Sequence, residues 1–116
     1  MRRIAAVLGL VSVLALVGCK SKYIEATLEN RSGETLSLIQ VEYPSASFGE
    51  QTLPPNASFH YRFKLIGSGP VKVSWVDPKQ KDHKQEGPKL LEGEQGRLAV
   101  VFDKPDHVNF TATVHP

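Results

Sequence analysis

The stretch Leu98–Val114 reads LAVVFDKPDHVNFTATV, with apolar residues on alternate positions either side of a short polar turn. Leu98, Val100 and Phe102 share one parity before the turn, and Val108, Phe110, Ala112 and Val114 share one after it. A period of two puts alternate side chains on one face of a strand, whereas a helix would repeat its apolar positions every three or four residues. Setting Phe102 opposite Val108 leaves Lys104-Pro105-Asp106 as a three-residue loop, whose final aspartate tolerates a left-handed backbone. The segment therefore predicts an antiparallel hairpin with one apolar face, which a second layer must bury.

The same alternation recurs along the chain. Ile24, Ala26 and Leu28 line one face of a strand, as do Phe59, Tyr61, Phe63 and Leu65, and then Val71, Val73 and Trp75. Pairing Leu65 with Val71 and Phe63 with Val73 predicts a second hairpin closed by Gly67-Ser68-Gly69, with Gly69 left-handed; pairing Leu28 with Leu36 predicts a third, closed by Arg31-Ser32-Gly33. The strand that follows changes parity, because Leu36 and Leu38 share one face while Ile39, Val41 and Tyr43 share the other. A β-bulge near Leu38 accounts for the change, and burial on both faces is the alternative. From Asp77 to Gly96 lysines and acids balance around glycines, which reads as a long solvated connection with one short strand near Leu90. No stretch keeps helical spacing over three turns. The predicted fold is all-β: a small antiparallel β-sandwich, immunoglobulin-like or related, of seven or eight strands, with Trp75 in its core.

The first residues have a different organisation. Arg2 and Arg3 give a positive start, Ile4 to Val17 is apolar apart from Ser12, and Gly18 precedes Cys19. That run is shorter than the roughly 20 apolar residues needed to cross the hydrocarbon core, so it reads as an export signal. Its end, Leu16-Val17-Gly18-Cys19, resembles the lipobox of bacterial lipoproteins: leucine, two small or aliphatic residues, then cysteine. The resemblance covers only these first nineteen residues. It implies that residues 1–18 are cleaved as a signal peptide, that Cys19 carries the lipid, and that 19–22 form a lipidated tether to a domain at 23–116. Lys20 rather than aspartate after the cysteine implies, by likeness to enterobacterial sorting, a lipid-anchored protein of the cell envelope at the periplasmic face of the outer membrane.

Composition restricts the functions open to such a domain. Lys and Arg total 14 against 12 Asp and Glu, and loss of Arg2 and Arg3 with the signal brings the two into balance. A nucleic-acid binder needs a basic excess to displace counterions, so no nucleic acid is expected as a partner. Cys19 is the one cysteine and Met1 the one methionine. Once the first is acylated and the second removed, thiol catalysis, disulfides and a His-Cys-Met copper site are all excluded. Gly67-Ser68-Gly69 lacks the flanks of a nucleophile elbow, and Gly93-Glu94-Gln95-Gly96 lacks the lysine of a phosphate loop. His60, His107 and His115 fall on outward parity, and neither Asp82-His83 nor Asp106-His107 reads as a pair of metal ligands on one face. No catalytic residue, metal or cofactor is expected. The reading is a monomeric, non-catalytic binding, scaffolding or inhibitor module, held to the membrane through its lipid and open to an envelope protein or polymer. The alternative is an enzyme or metal-handling protein whose site comes together only in three dimensions.

Two surfaces are candidates for binding. In Tyr43-Pro44-Ser45-Ala46-Ser47-Phe48-Gly49 the proline cannot donate to a strand ladder, so the segment is expected to leave the sheet as a loop bracketed by two aromatics. Tyr43, Ser45, Ser47 and Phe48 would be its contact residues, unless Tyr43 and Phe48 fold back over the core. The second is the outward face of the expected Phe59–Trp75 hairpin, carrying His60, Arg62, Lys64 and Lys72, with Lys64 opposite Lys72. Like charges face to face cost some stability, which an anionic partner would relieve.

Overall fold

A computed structural model describes residues 22–116; the expected signal peptide, Cys19 and most of the expected tether lie outside the described residues. The chain forms eight strands: β1 (Ile24–Asn30), β2 (Leu36–Tyr43), β3 (Ala46–Leu53), β4 (Ser58–Phe63), β5 (Gly69–Val76), β6 (Asp82–Leu90), β7 (Gln95–Lys104) and β8 (His107–His115). They make two four-stranded sheets, in the orders β4-β1-β7-β8 and β3-β2-β5-β6. The expected all-β sandwich is the fold. It is not wholly antiparallel, because β1 runs parallel to β7 with Ile24 beside Gly96 and Asn30 beside Phe102.

Parity gives the core. Ile24, Ala26 and Leu28 from β1, Val71, Val73 and Trp75 from β5, and Leu98, Val100 and Phe102 from β7 are all buried between the sheets. Trp75 packs edge-on against Phe102 at 5.1 Å, and its Nε1–H donates to the Pro105 carbonyl at 2.8 Å. One side chain thus joins the core of one sheet to the β7–β8 turn of the other.

The hairpins fare differently. The β7–β8 register is as expected, with Phe102 opposite Val108, but a bulge lets Lys104 pair with His107, so the turn is Pro105-Asp106 alone and Asp106 is not left-handed. The other two are corrected: β1 and β2 lie in opposite sheets, and so do β4 and β5. Leu28 and Leu36 are both buried but lie in opposite sheets, and Leu65, in the connection just beyond β4, shares no ladder with buried Val71. Inward parity states which face a residue occupies, and both sheets turn their inward faces to the same core. In the β4–β5 connection the left-handed glycine is Gly67, while Gly69 begins β5. Tyr43 Oη donates to the Gly67 carbonyl and Ser45 Oγ to that of Lys64, which pulls this connection across the end of the sandwich.

The bulge in β2 is where the parity change put it. Its pairing to β5 shifts between Ser37 and Gln40, Leu38 takes φ 49° and stands 62% exposed, and Ile39, Val41 and Tyr43 resume the inward face. A left-handed non-glycine residue costs about 1–2 kcal/mol, and here the cost sets three apolar side chains into the core.

The segment expected as a solvated connection contains β6, a nine-residue strand at the edge of its sheet. Its outward residues Asp82, Lys84 and Glu86 carry the charges that suggested a loop. Before Leu90, which is buried at its end, the inward residues are not aliphatic: His83 lies against Trp75, Gln85 exchanges hydrogen bonds with the backbone of Val108, and Gly87 sits under Phe110. A Cβ at 87 would come within 2.7 Å of that ring, so glycine is what lets β6 close over β8. The Gln85 amide stands in for a strand, linking the edge of one sheet to the edge of the other.

Candidate functional site

Neither expected surface has the form the sequence suggested. Tyr43 to Gly49 is not a loop: Pro44-Ser45 is a tight turn, and Ala46 onward is β3, paired with β2 so that Phe48 lies opposite Val41. Pro44 can occupy the turn because no ladder bond is asked of its nitrogen. Tyr43 and Phe48 are both buried. Phe48 stacks on Tyr61 at 4.4 Å and tilts against Phe63 at 5.6 Å, closing the seam between β3 and β4. The Tyr43 hydroxyl oxygen also lies 3.2 Å from the Leu90 carbonyl, and burial together with the negative charges of Glu92 and Glu94 raises its pKa. Ser45 is committed to the backbone of the β4–β5 connection, and Ser47 accepts from Gln40 at 3.0 Å. Folding back over the core is what these aromatics do.

The basic face is divided. His60 and Arg62 lie on β4, with Lys64 just beyond it, whereas Lys72 lies on β5 in the other sheet, so no strand sets Lys64 opposite Lys72. In its own sheet Lys72 stands between Glu42 and Glu86. Arg62 binds Glu25 at 2.7 Å, and His60 Nδ1 lies 3.3 Å from Thr27 Oγ1. Arg62 and Lys64 both stand over the Tyr23 ring, at 5.1 and 5.3 Å.

A different group of side chains meets at the end of the sandwich opposite residue 22. Asp77 follows directly on β5 and the returning β6 delivers His83, beside the β7–β8 turn and Glu34 of the β1–β2 connection. They line a cleft of about 400 Å³ with Lys79, Lys81 and Asp106 at its rim. Asp77 shapes one wall: Oδ1 accepts the Lys79 and Lys81 amides at 2.8 and 3.0 Å, and Oδ2 accepts His83 Nε2–H at 2.8 Å. The imidazole is further held by stacking on Trp75, with ring centres 5.4 Å apart. The hydrogen bond from His83, followed by that from the Lys81 amide, lowers the Asp77 pKa. Among the described residues no three His, Cys, Asp or Glu side chains are grouped to hold a metal ion. The cleft offers fixed hydrogen-bonding groups and charges of both signs, which suits recognition of a polar or zwitterionic ligand. Sequence reading missed it because His83 was judged beside Asp82, whereas its partner lies six residues back across the β5–β6 turn. The signal available was Asp77-Pro78, a turn former that brings Trp75 opposite His83.

The lowered Asp77 value has a pH consequence of defined sign. A carboxyl whose pKa falls on folding contributes stability above its unfolded value, about 4, and loses that contribution as pH drops through the folded value. Asp77→Asn is expected to lower the urea midpoint at pH 7 and to converge on the native chain as pH falls below the lowered folded value. A gap between the two proteins that stayed constant with pH would show that the Asp77 charge contributes nothing.

No family model matches this chain, and no curated protein does. Among solved structures, an NMR structure of a protein from Eubacterium rectale is similar, with a TM-score of 0.56 and 13% identity over 78% of this chain and 88% of that one. At that identity the likeness concerns the fold.

Proposed function

We propose that this chain is a bacterial lipoprotein of the cell envelope, anchored through Cys19, whose β-sandwich is a non-catalytic binding, scaffolding or inhibitor module. The observation that carries the reading is Leu16-Val17-Gly18-Cys19 placed directly after a basic start and an apolar run, with that cysteine the only one in the chain. Support comes from the start of β1 at Ile24, which leaves a tether and no further domain between the cysteine and the sandwich. Among the described residues the core closes without a thiol. Lys20 favours the periplasmic face of the outer membrane. The module acts as a monomer on an envelope protein or polymer, and the His83 cleft, at the end away from the anchor, is the surface best placed to meet it.

Cys19→Ala is expected to abolish incorporation of labelled palmitate and to accumulate chain at the precursor mass. Recovery of labelled, shortened protein from that variant would refute the reading.

A further inference from the structure

The exposed apolar residues are unevenly distributed. Of the four large ones among the described residues, Leu38 lies at the bulge of β2 and Tyr61 on the edge strand β4, stacked on Phe48; the two that lie in loops, Ile66 at 62% and Leu91 at 51% exposure, are in the β4–β5 and β6–β7 connections. Both connections are at the end where β1 begins. Ile24 pairs with Phe63, the last residue of β4, and with Gly96, at the start of β7, and the Tyr23 carbonyl accepts the Gly96 amide. The two loops are also tied together: the Gly93 amide donates to the Leu65 carbonyl at 3.1 Å, and the Glu92 amide to Ser68 Oγ at 2.9 Å. Ile66 and Leu91 are thus held in braced loops beside the point where the chain leaves toward Cys19, and the four connections at the opposite end expose no large apolar side chain.

We infer that Ile66 and Leu91 rest in the headgroup region of the bilayer that holds the anchor, so that the domain lies end-on against the membrane instead of swinging on its tether. This rests on the lipoprotein reading, and the length of the tether makes it specific. Lys20-Ser21-Lys22 spans at most about 10 Å when fully extended, and apolar side chains of surface-bound segments enter about 5–10 Å into the interface. Anything exposed beside residue 22 is therefore within reach of the headgroups. Charge at this end is mixed: Lys22, Lys64 and Lys89 are exposed, but so is Glu92, with Glu94 close by. Attraction to anionic lipid cannot drive the contact alone, and the paired apolar side chains supply what the charges do not. Two cations stacked over Tyr23 put an aromatic ring and positive groups at the level where phosphates and carbonyls of lipid meet.

The test uses the full chain, produced in a bacterial host and reconstituted into phosphatidylethanolamine–phosphatidylglycerol vesicles. With Cys19 acylated, Ile66→Cys, Leu91→Cys or Glu34→Cys supplies the one free thiol for an environment-sensitive fluorophore; all three positions are exposed. Probes at 66 and 91 are expected to shift to the blue and to be quenched several-fold more strongly by brominated lipid than the probe at 34, at the far end. Water-like emission and equal quenching at all three positions, in protein whose mass shows the acyl chains, would overturn the end-on contact and leave the anchor standing. Protein lacking the acyl chains would overturn both. A lipidated Ile66→Asp variant with its fluorophore at Leu91→Cys is expected to lose most of the blue shift at 91; an unchanged spectrum would also count against the contact.

Discussion

Phe48→Ala should lower the unfolding free energy of the domain by about 3–5 kcal/mol, the cost usual for deleting a buried phenylalanine. The effect is this large because Phe48 holds one seam of the sandwich. It lies on β3 at the edge of one sheet, Tyr61 and Phe63 lie on β4 at the edge of the other, and the three rings interlock across the gap. Aromatic pairs of this kind add about 0.5–1.5 kcal/mol beyond the area they bury, so truncation removes both contributions. Trp75 is the only tryptophan and is almost fully buried, so its fluorescence during urea denaturation reads the change. Phe48→Leu, which keeps most of the volume, should recover much of the loss. A change under about 1 kcal/mol in the alanine variant would mean that the ring is not a core element, and would reopen Tyr43 to Gly49 as a contact surface.

Asn30→Ala is expected to cost about 2–4 kcal/mol, an unusual loss for a polar residue. Asn30 is fully buried at the end of β1. Its Nδ2 group donates to the carbonyls of Glu34 and Leu53 at 2.7 and 2.8 Å, and Oδ1 accepts from the Ser32 amide at 3.0 Å and the Ser32 hydroxyl at 2.6 Å. Its backbone binds Asn56 and Ala57 in the connection between β3 and β4. One side chain therefore shapes the crossing from β1 to β2 and fastens it to the neighbouring crossing. Alanine would strand the buried Leu53 carbonyl, worth about 1–3 kcal/mol when unsatisfied, and remove the bonds to Glu34 and Ser32 as well. Asn30→Asp keeps the acceptor but turns a carboxylate toward two carbonyls, so it should be no milder. If either variant unfolded at the native urea midpoint, water would be doing the work assigned to the amide.

What the sequence made legible follows from how each residue is used. Aliphatic alternation marks a strand with an apolar neighbour, so Ile24 to Leu28, Val71 to Trp75 and Leu98 to Phe102 could be placed on inward faces. The slip of parity at Leu38 could be read as a bulge for the same reason. β6 was hidden because the neighbours of its inward positions ask for something else: an imidazole against Trp75, an amide against the Val108 backbone, and no side chain at all under Phe110. Sheet membership was hidden too, since Leu65 and Val71 are equally inward whether they share a sheet or face each other across the core. The His83 cleft depends on both of these unseen facts. Asn30 carries no such signal in the sequence, because its burial is decided by two crossings that only the assembled sandwich brings together.

The parallel pairing of β1 with β7 bears on the order in which the molecule can form. A chain emerges from synthesis N-terminus first, so Ile24, Ala26 and Leu28 are among the first apolar residues of the domain to appear. Their antiparallel neighbour β4 follows soon after, but their other neighbour spans Gly96 to Phe102, near the end of the chain. Long-range strand pairing carries a loop-closure cost before it returns any contact, and such topologies fold slowly. The sheet β3-β2-β5-β6 can assemble from consecutive and near-consecutive segments while β1 waits with one edge unpaired. Until β7 arrives, that edge is the part of the nascent domain most open to pairing with the wrong strand.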